Sequence, residues 1–321
     1  MNKKQYYFIA DKDQEPLRID KFLLNSISNT TRNKLQKTLN TEKIFVNNFL
    51  VKKNYCVIPL DVVSIVMAFA NQKLQEIHDL NIIYEDDTLV VINKPSRLVV
   101  QSANGDYKGT LLHAIKYHLN KIGLKQAPVR LGLVHRLDKE TSGLLLFAKN
   151  DFSLQHLTYQ FFTRSIYRRY LALALGDLEG YGTIKGNIGR SLKDRKRMEF
   201  FYDDSLGKFS VTHYKVLENL NIATLVSCRI DTGRTHQIRT HFTKLGNPII
   251  NDNRYGKSNK IDKTIVKNFF SILQGQFLHA QSFIFIHPIT GKPMHFEIPL
   301  SKEMYKVLKI LRNCFIQDKD K

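Results

Sequence analysis

Residues 132 to 149 read GLVHRLDKETSGLLLFAK. The segment runs as an apolar strand, a polar hexapeptide with one carboxylate between two cations, a Thr-Ser-Gly turn, and a second apolar strand. Strands seldom break for decoration. Two buried strands give rigid flanks on which Arg136 and Asp138 are positioned, so the pattern predicts a sheet-based domain carrying a functional loop. Taken alone, the residues also allow a surface hairpin in which Arg136, Asp138 and Lys139 form local ion pairs.

The sequence around this segment is sheet-rich. Ile82-Ile83-Tyr84, Glu85-Asp86-Asp87 and Leu89 to Ile92 read as strand, turn and strand, with Pro95 ending the run. Further strands are predicted at 131–135, 144–148, 170–175, 209–217, 222–230 and 277–286, and helices at 110–120, 151–163, 235–245 and 301–313. The expected class is α+β with a mainly antiparallel sheet. No repeat is present, nor any glycine loop of the P-loop or dinucleotide type.

Residues 15–68 form a different pattern, between an N-terminal tail (1–14) and a polar linker (69–80) that precedes the larger domain (81–321). Ile19, Phe22, Leu23 and Ile27 fall at helical spacing, and Asn29, Thr30 or Thr31 can cap a second helix with Leu35 and Leu39 inward. Ile44 to Val46 and Phe49 to Val51 flank Asn47-Asn48, two residues suited to the positive φ angles of a tight hairpin. A strand from Val62 to Met67 closes the unit. Arg32, Lys34 and Lys37 on the second helix, with Lys52 and Lys53 after the hairpin, are basic and would suit a polyanion.

With 321 residues and 43% apolar side chains the chain is neither disordered nor fibrous. Its 49 basic and 29 acidic residues leave a formal charge of +20, which favours a polyanionic partner or a generally solubilising surface. Cys56, Cys228 and Cys314 are too few and too scattered for a disulfide framework or a metal knuckle, so a reducing, cytoplasmic setting is expected. His236 and His241, five apart, do not share a helical face for a metal, and no metal is expected. No stretch approaches the about 20 apolar residues of a spanning helix, and no signal core opens the chain.

HRLDKETSGLLL resembles the signature of the pseudouridine synthases that modify large-subunit ribosomal RNA. EDDTLVVINKP resembles their domain-opening hairpin, YLAL their strand with an active-site tyrosine, TGRTHQIRTH their third motif, and FLHA with a later HP their closing strand. Residues 15–68 resemble the small alpha-L RNA-binding domain of a small-subunit ribosomal protein, from RIDKFL to the VNN hairpin tip. Four departures stand out: Leu60-Asp61 and Asn251-Asp252 where Gly-Asp is usual, Ser96-Arg97 where a small residue and Gly are frequent, and Arg169 where Lys usually precedes the tyrosine.

The resemblance implies cofactor-free isomerisation of a uridine flipped out of 23S ribosomal RNA, with transfer RNA the alternative substrate, by a monomer with no membrane association. It implies Asp138 as the essential carboxylate, attacking the sugar or removing a proton from it. Arg239 is the expected cation keeping Asp138 ionised, with Arg234 the competing choice or an RNA contact. Tyr170 is the expected stacking face for uracil, Arg136 the filler of the vacated stack, and Leu278 part of the pocket floor. His135 and His279 are expected to be structural. The run IKGNIGRSLKDRKRM, with Lys185, Arg190, Lys193, Arg195, Lys196 and Arg197, is expected to be a phosphate-tracking loop. Two rival classes share parts of the pattern. A catalytically silent RNA-binding factor would not need Asp138, Tyr170 and Arg239 together, and a carboxylate glycosidase would need a second carboxylate, for which the loop offers Glu140.

Overall fold

A computed structural model describes residues 2–12, 15–26, 44–52, 54–69, 80–101, 109–124, 132–194, 197–256, 272–273 and 275–319. The chain divides into two compact units, one of Met1–Glu76 with Gln101–Thr110 and one of Ile77–Val100 with Leu111–Lys321.

The first unit contains β1 (Asn2–Ile9), β2 (Leu17–Arg18), α1 (Ile19–Ser26), β3 (Ile44–Val46), β4 (Phe49–Leu50), β5 (Cys56–Val57) and β6 (Val62–Phe69). Its main sheet has the order β1-β6-β3-β4, and β2 pairs with β5. Ile19, Phe22 and Leu23 of α1 pack with Ile44, Val46, Val57, Val63 and Ile65. The expected hairpin forms on Asn47 and Asn48, at φ 51 and 70. The expected N-terminal tail is a correction. Residues 2–9 pair in full register with β6, from Asn2↔Phe69 to Ile9↔Val62. This strand escapes a periodicity test because Tyr7 and Ile9 stay exposed, so ladder hydrogen bonds at a sheet edge hold it. The predicted second helix and Arg32, Lys34, Lys37 and Lys53 lie outside the described residues. Lys52 is exposed.

The second unit is built from β7 (Ile82–Glu85), β8 (Leu89–Lys94), α2 (Leu111–Lys121), β9 (Ser142–Ala148), α3 (Asp151–Phe162), β10 (Tyr167–Leu175), β11 (Tyr181–Arg190), β12 (Met198–Phe201), β13 (Lys208–Asn219), β14 (Ala223–Ile230), α4 (Gln237–Leu245), β15 (Leu278–Ile286), β16 (Pro293–Glu297) and α5 (Lys302–Lys319). The sheet order is β12-β11-β13-β14-β10-β15-β9-β8-β7, with β16 beside β15. The β15–β9 pair is parallel; the other described pairs are antiparallel.

The unbroken apolar run of β9 follows from its central place. Leu145 and Phe147 enter one core with α2 and with Ile238 and Phe242 of α4, while Leu144, Leu146 and Ala148 enter another with Leu157 of α3. With both faces covered, every position along the strand is apolar or small. A third core joins Leu173, Leu175 and Leu225 to Met304, Val307, Leu308 and Leu311 of α5.

Two elements differ from expectation. The segment predicted as a strand at 131–135 makes a single bridge, Leu133↔Phe147. Gly132 there has φ +70, and a Cβ on it would stand 1.8 Å from the Ala148 carbonyl oxygen, so the chain passes too close to β9 for any other residue. The basic run expected as a loop begins inside β11 and ends at β12. Its strand nature was hidden by Gly182, Gly186 and Gly189; Gly186 makes room for the Phe200 ring, and Gly189 for Gly207.

Three of the four departures from the family pattern occupy left-handed backbone: Leu60 at φ 69, Arg97 at φ 65 and Asn251 at φ 58. A glycine adopts that region freely, whereas an L side chain costs about 1–2 kcal/mol there. This chain thus holds with L side chains a backbone conformation that suits glycine. At Leu60 the following Asp61 holds it, accepting from the Asn47 side-chain amide, the Tyr55 hydroxyl and the Ile58 N–H.

Candidate active site

The loop between Leu133 and β9 is fixed from below. The Lys94 side chain is fully buried at the end of β8 and donates to three carbonyls, of Pro95, Leu98 and Lys139, at 2.8, 2.9 and 3.1 Å. Burial pushes its ammonium down to about 7, and the nearby charge of Asp138 works against that shift. Ser96 Oγ donates to the Glu140 carbonyl, and Gln276 donates to Thr141 Oγ1. His135 Nε2 accepts the Leu146 N–H at 3.0 Å while its ring packs on Phe161 and Phe283. Burial, then the charge of Arg168, holds this imidazole neutral, down to about 3. A loop tied at both ends to strands is rigid enough to aim a side chain.

Asp138 projects from that loop, half-buried, and its Oδ2 accepts from Arg239 Nη1 at 2.8 Å. Arg239 lies on α4, one turn after His236, and is itself gripped from behind. Its Nε and Nη2 donate to the two oxygens of Asp252, at 2.6 and 2.9 Å, in a bidentate fork. Asp252 is buried and also accepts the N–H groups of Arg254 and Tyr255. Burial opposes the charge on Arg239, but the hydrogen bonds and charge of Asp252, then those of Asp138, outweigh it and hold the guanidinium above its ordinary value. The Tyr255 ring lies against Arg239 and Arg197, with centroids 5.0 and 5.1 Å from the guanidinium carbons. The Tyr255 oxygen accepts the Met198 N–H and bonds His236 Nδ1. His236 Nε2 stands 3.9 Å from Asp138 Oδ1, and burial depresses that ring to about 4.

The segment before α4 is stapled to β13 through Gln237. Its side-chain oxygen accepts from the Thr232 hydroxyl and the Arg234 N–H, and its nitrogen donates to the Val211 carbonyl and to Thr212 Oγ1. His241, one turn along α4, is bonded on both ring nitrogens by Ser210 and Thr212, and burial lowers it to about 4. The helix carrying Arg239 thus has a fixed register.

The structure places the sequence-derived residues as follows. Asp138, Tyr170, Arg239, Arg136, Arg234 and Leu278 line one pocket. Tyr170 is buried there on β10, and burial raises its hydroxyl pKa, with Arg168 and Asp138 acting in opposite senses. Leu278 opens β15 opposite Ala172. Arg136 is exposed at the mouth. Arg234 turns to β13 instead, its Nε donating to the Phe209 carbonyl at 3.1 Å. Arg190 is exposed at the end of β11 and Arg197 covers Tyr255, while Arg195 lies outside the described residues. His279 bonds Ser142 Oγ at 2.8 Å. Asp252, Tyr255, His236, Gln237 and Lys94 have no place in the sequence-derived site. Asp252 alone had a readable signal, since a buried arginine demands a second acid and IINDNRYG offers one. Among the described residues no cluster of three or more His, Cys, Asp or Glu could hold a metal ion, and no helix is long and apolar enough to cross a membrane.

The profile of the RNA pseudouridylate synthase family matches residues 88–244, which include Asp138, Tyr170 and Arg239. An uncharacterized RNA pseudouridine synthase of Bacillus subtilis, YlyB, is 39% identical over 306 residues, covering 94% of this chain and 97% of that one. The ribosomal large subunit pseudouridine synthase D of Zymomonas mobilis is 40% identical over 233 residues, 72% of this chain and 73% of that protein. Among solved structures, human RNA pseudouridylate synthase domain containing 4 superposes with a TM-score of 0.58 at 24% identity, over 72% of this chain and 93% of the other, a likeness of fold.

Proposed function

Since the chain belongs to the RNA pseudouridylate synthase family and is a pseudouridine synthase acting on RNA, we propose that it converts particular uridines of 23S ribosomal RNA, and that Asp138 carries the chemistry. The carrying observation is the 2.8 Å contact of Asp138 with an arginine that Asp252 has already fixed. Isomerisation breaks the bond from the sugar C1′ to N1 of uracil, makes one from C1′ to C5, and returns the C5 proton to solvent while N1 gains one. Nothing is added or lost. Whether the carboxylate attacks the sugar or removes a proton from it, it acts only when ionised, and in a pocket closed by a base that state needs a neighbouring cation.

The other residues divide the remaining work. A paired base is out of reach, so the uridine is flipped into the pocket, where the Tyr170 ring stacks on it and Leu278 supports the floor. Arg136, exposed at the mouth, is suited to fill the vacated stack with its planar cation. Asp252 cannot serve as a second acid-base group, because its two oxygens are spent on Arg239, and this disfavours the glycosidase reading. The large-subunit target is supported by relatives named ribosomal large subunit pseudouridine synthase D. Mapping pseudouridine in ribosomal and transfer RNA from cells with and without this gene tests it. Loss of sites from 23S RNA is expected; loss confined to transfer RNA would refute the target.

The first unit is proposed as the RNA-docking module, through Arg32, Lys34, Lys37, Lys52 and Lys53. Charge reversal at these positions should weaken binding and shallow its log-log salt dependence by roughly 0.7 to 0.9 per lost phosphate contact. Unchanged affinity and slope would rule this out. In the second unit, Arg190, Arg195 and Arg197 are proposed as further phosphate contacts. The setting that fits a ribosomal substrate is the cytoplasm, and nothing in the chemistry requires more than one copy of the chain.

A further inference from the structure

Arg168 stands two residues before Tyr170 on β10, with only 6% of its surface exposed. A buried guanidinium normally has a carboxylate or a set of carbonyls to satisfy it. Among the described residues this one has the face of Phe161, 5.2 Å away, and its Nε has no hydrogen-bond partner. The acid whose charge it feels, Asp231, is engaged by His213 at 2.8 Å and faces Arg229 at 3.7 Å. Burial consequently lowers the Arg168 pKa rather than pairing raising it.

The direction in which this cation opens is marked by Gly233. That glycine is exposed and has no positive φ, so its backbone does not require glycine. A Cβ there would meet one atom within 4 Å, Arg168 Nη1 at 3.1 Å. The missing side chain leaves the guanidinium tip uncovered. On one side lies Arg234, next in sequence to Gly233; the charge of Arg168 also bears on His135, the neighbour of Arg136, and on the Tyr170 hydroxyl. Arg136, Arg234 and Tyr170 all line the pocket.

We propose that Arg168 is a phosphate-binding residue of the substrate site, contacting one phosphodiester next to the target uridine through the gap at Gly233. The inference rests on the pocket around Asp138 being where RNA reacts. A phosphodiester supplies what the protein withholds: a planar pair of anionic oxygens matched to an arginine fork. The free enzyme carries an uncompensated charge, and the substrate neutralises it.

The test uses full-length protein and an RNA carrying the mapped uridine. Arg168→Met should weaken binding about 10- to 100-fold, as expected for loss of a charged hydrogen bond, and shallow the salt slope by about 0.7 to 0.9. Its melting temperature should equal or exceed the parent's, because an unpaired buried charge has gone. Arg168→Lys should retain the parent salt slope. Gly233→Ala, which leaves the arginine present but crowded, should also weaken binding. Methylphosphonate at one flanking linkage should cost the parent about as much as Arg168→Met does, and should cost that variant nothing more. Parental affinity and slope in both Arg168→Met and Gly233→Ala overturn the proposal, as does full additivity at every linkage. If Arg168→Met fails to fold, Gly233→Ala and the linkage scan decide. Failure of the parent to isomerise the uridine would instead count against the site reading, which the binding measurements keep separate.

Discussion

Replacing Arg239 with methionine keeps the aliphatic volume on α4 and removes the charge between Asp138 and Asp252. Charges about 4 Å apart attract by about 4 kcal/mol at an effective dielectric of about 20. At about 1.36 kcal/mol per factor of ten this corresponds to about a thousandfold in rate. Asp138 keeps 18% side-chain exposure, so water takes up part of the loss. The single-turnover rate should therefore fall by about two to three orders of magnitude. Folding must be separated from this effect. The single variant strands Asp252, whose side chain has 0% exposure, and breaking such a pair costs about 3–5 kcal/mol. Adding Asp252→Asn removes the stranded charge and should restore much of that stability while leaving the rate depressed. The assay is conversion of one mapped uridine under single-turnover conditions from about pH 5 to about 9. A near-parental rate in a folded variant would refute the idea that Arg239 supports Asp138 in the reaction.

Asp138→Asn should abolish pseudouridine formation while leaving the melting temperature and RNA affinity near the parent's; turnover by a clean preparation would remove Asp138 from the chemistry. Arg234→Met, whose side chain is tied to the Phe209 carbonyl, should weaken RNA binding more than it moves the rate profile, as checked by comparing single-turnover rates with dissociation constants. Three histidines set the acid limit: desolvation, with Arg168 adding to it at His135, depresses His135 to about 3, and desolvation depresses the buried His241 and His279 to about 4. Because these folded values lie below the unfolded value of about 6.5, the stability they confer is complete above it and is lost as pH falls toward 4; the melting temperature should decline there, less steeply in His241→Gln. Leu60→Gly should raise stability by about 0.5–1 kcal/mol by relieving left-handed strain, read as a higher denaturation midpoint with unchanged activity.

How far the sequence reveals this molecule depends on the range of the interaction. Local signals were legible: the Asn47-Asn48 hairpin, the amphipathic α1, and the apolar run of β9 all express themselves within a few residues. The pocket residues could be named because they sit in dense motifs. Elements that rely on distant partners were not legible. β1 is held by a ladder to a strand over fifty residues on, and β11 is carried by glycines that answer to Phe200 and Gly207. The same applies to Asp252, whose role depends on an arginine thirteen positions earlier and a carboxylate more than a hundred earlier. Gln237 looked like a polar helix residue until its four bonds tied α4 to β13.

β15 lies between β10 and β9, although it comes more than a hundred residues after either. While the chain is being synthesised, β7 to β9 and β10 to β14 emerge as two partial sheets, each with an open edge waiting for a strand that does not yet exist. They join only when Leu278 to Ile286 inserts, completing the wall that bears Tyr170 on one side and the Asp138 loop on the other. Activity on RNA is therefore an attribute of the finished chain and should be absent from any nascent product stopped short of β15. A ribosome stalled before that point would hold a species with two unpaired edges, prone to aggregation and unable to modify the RNA around it.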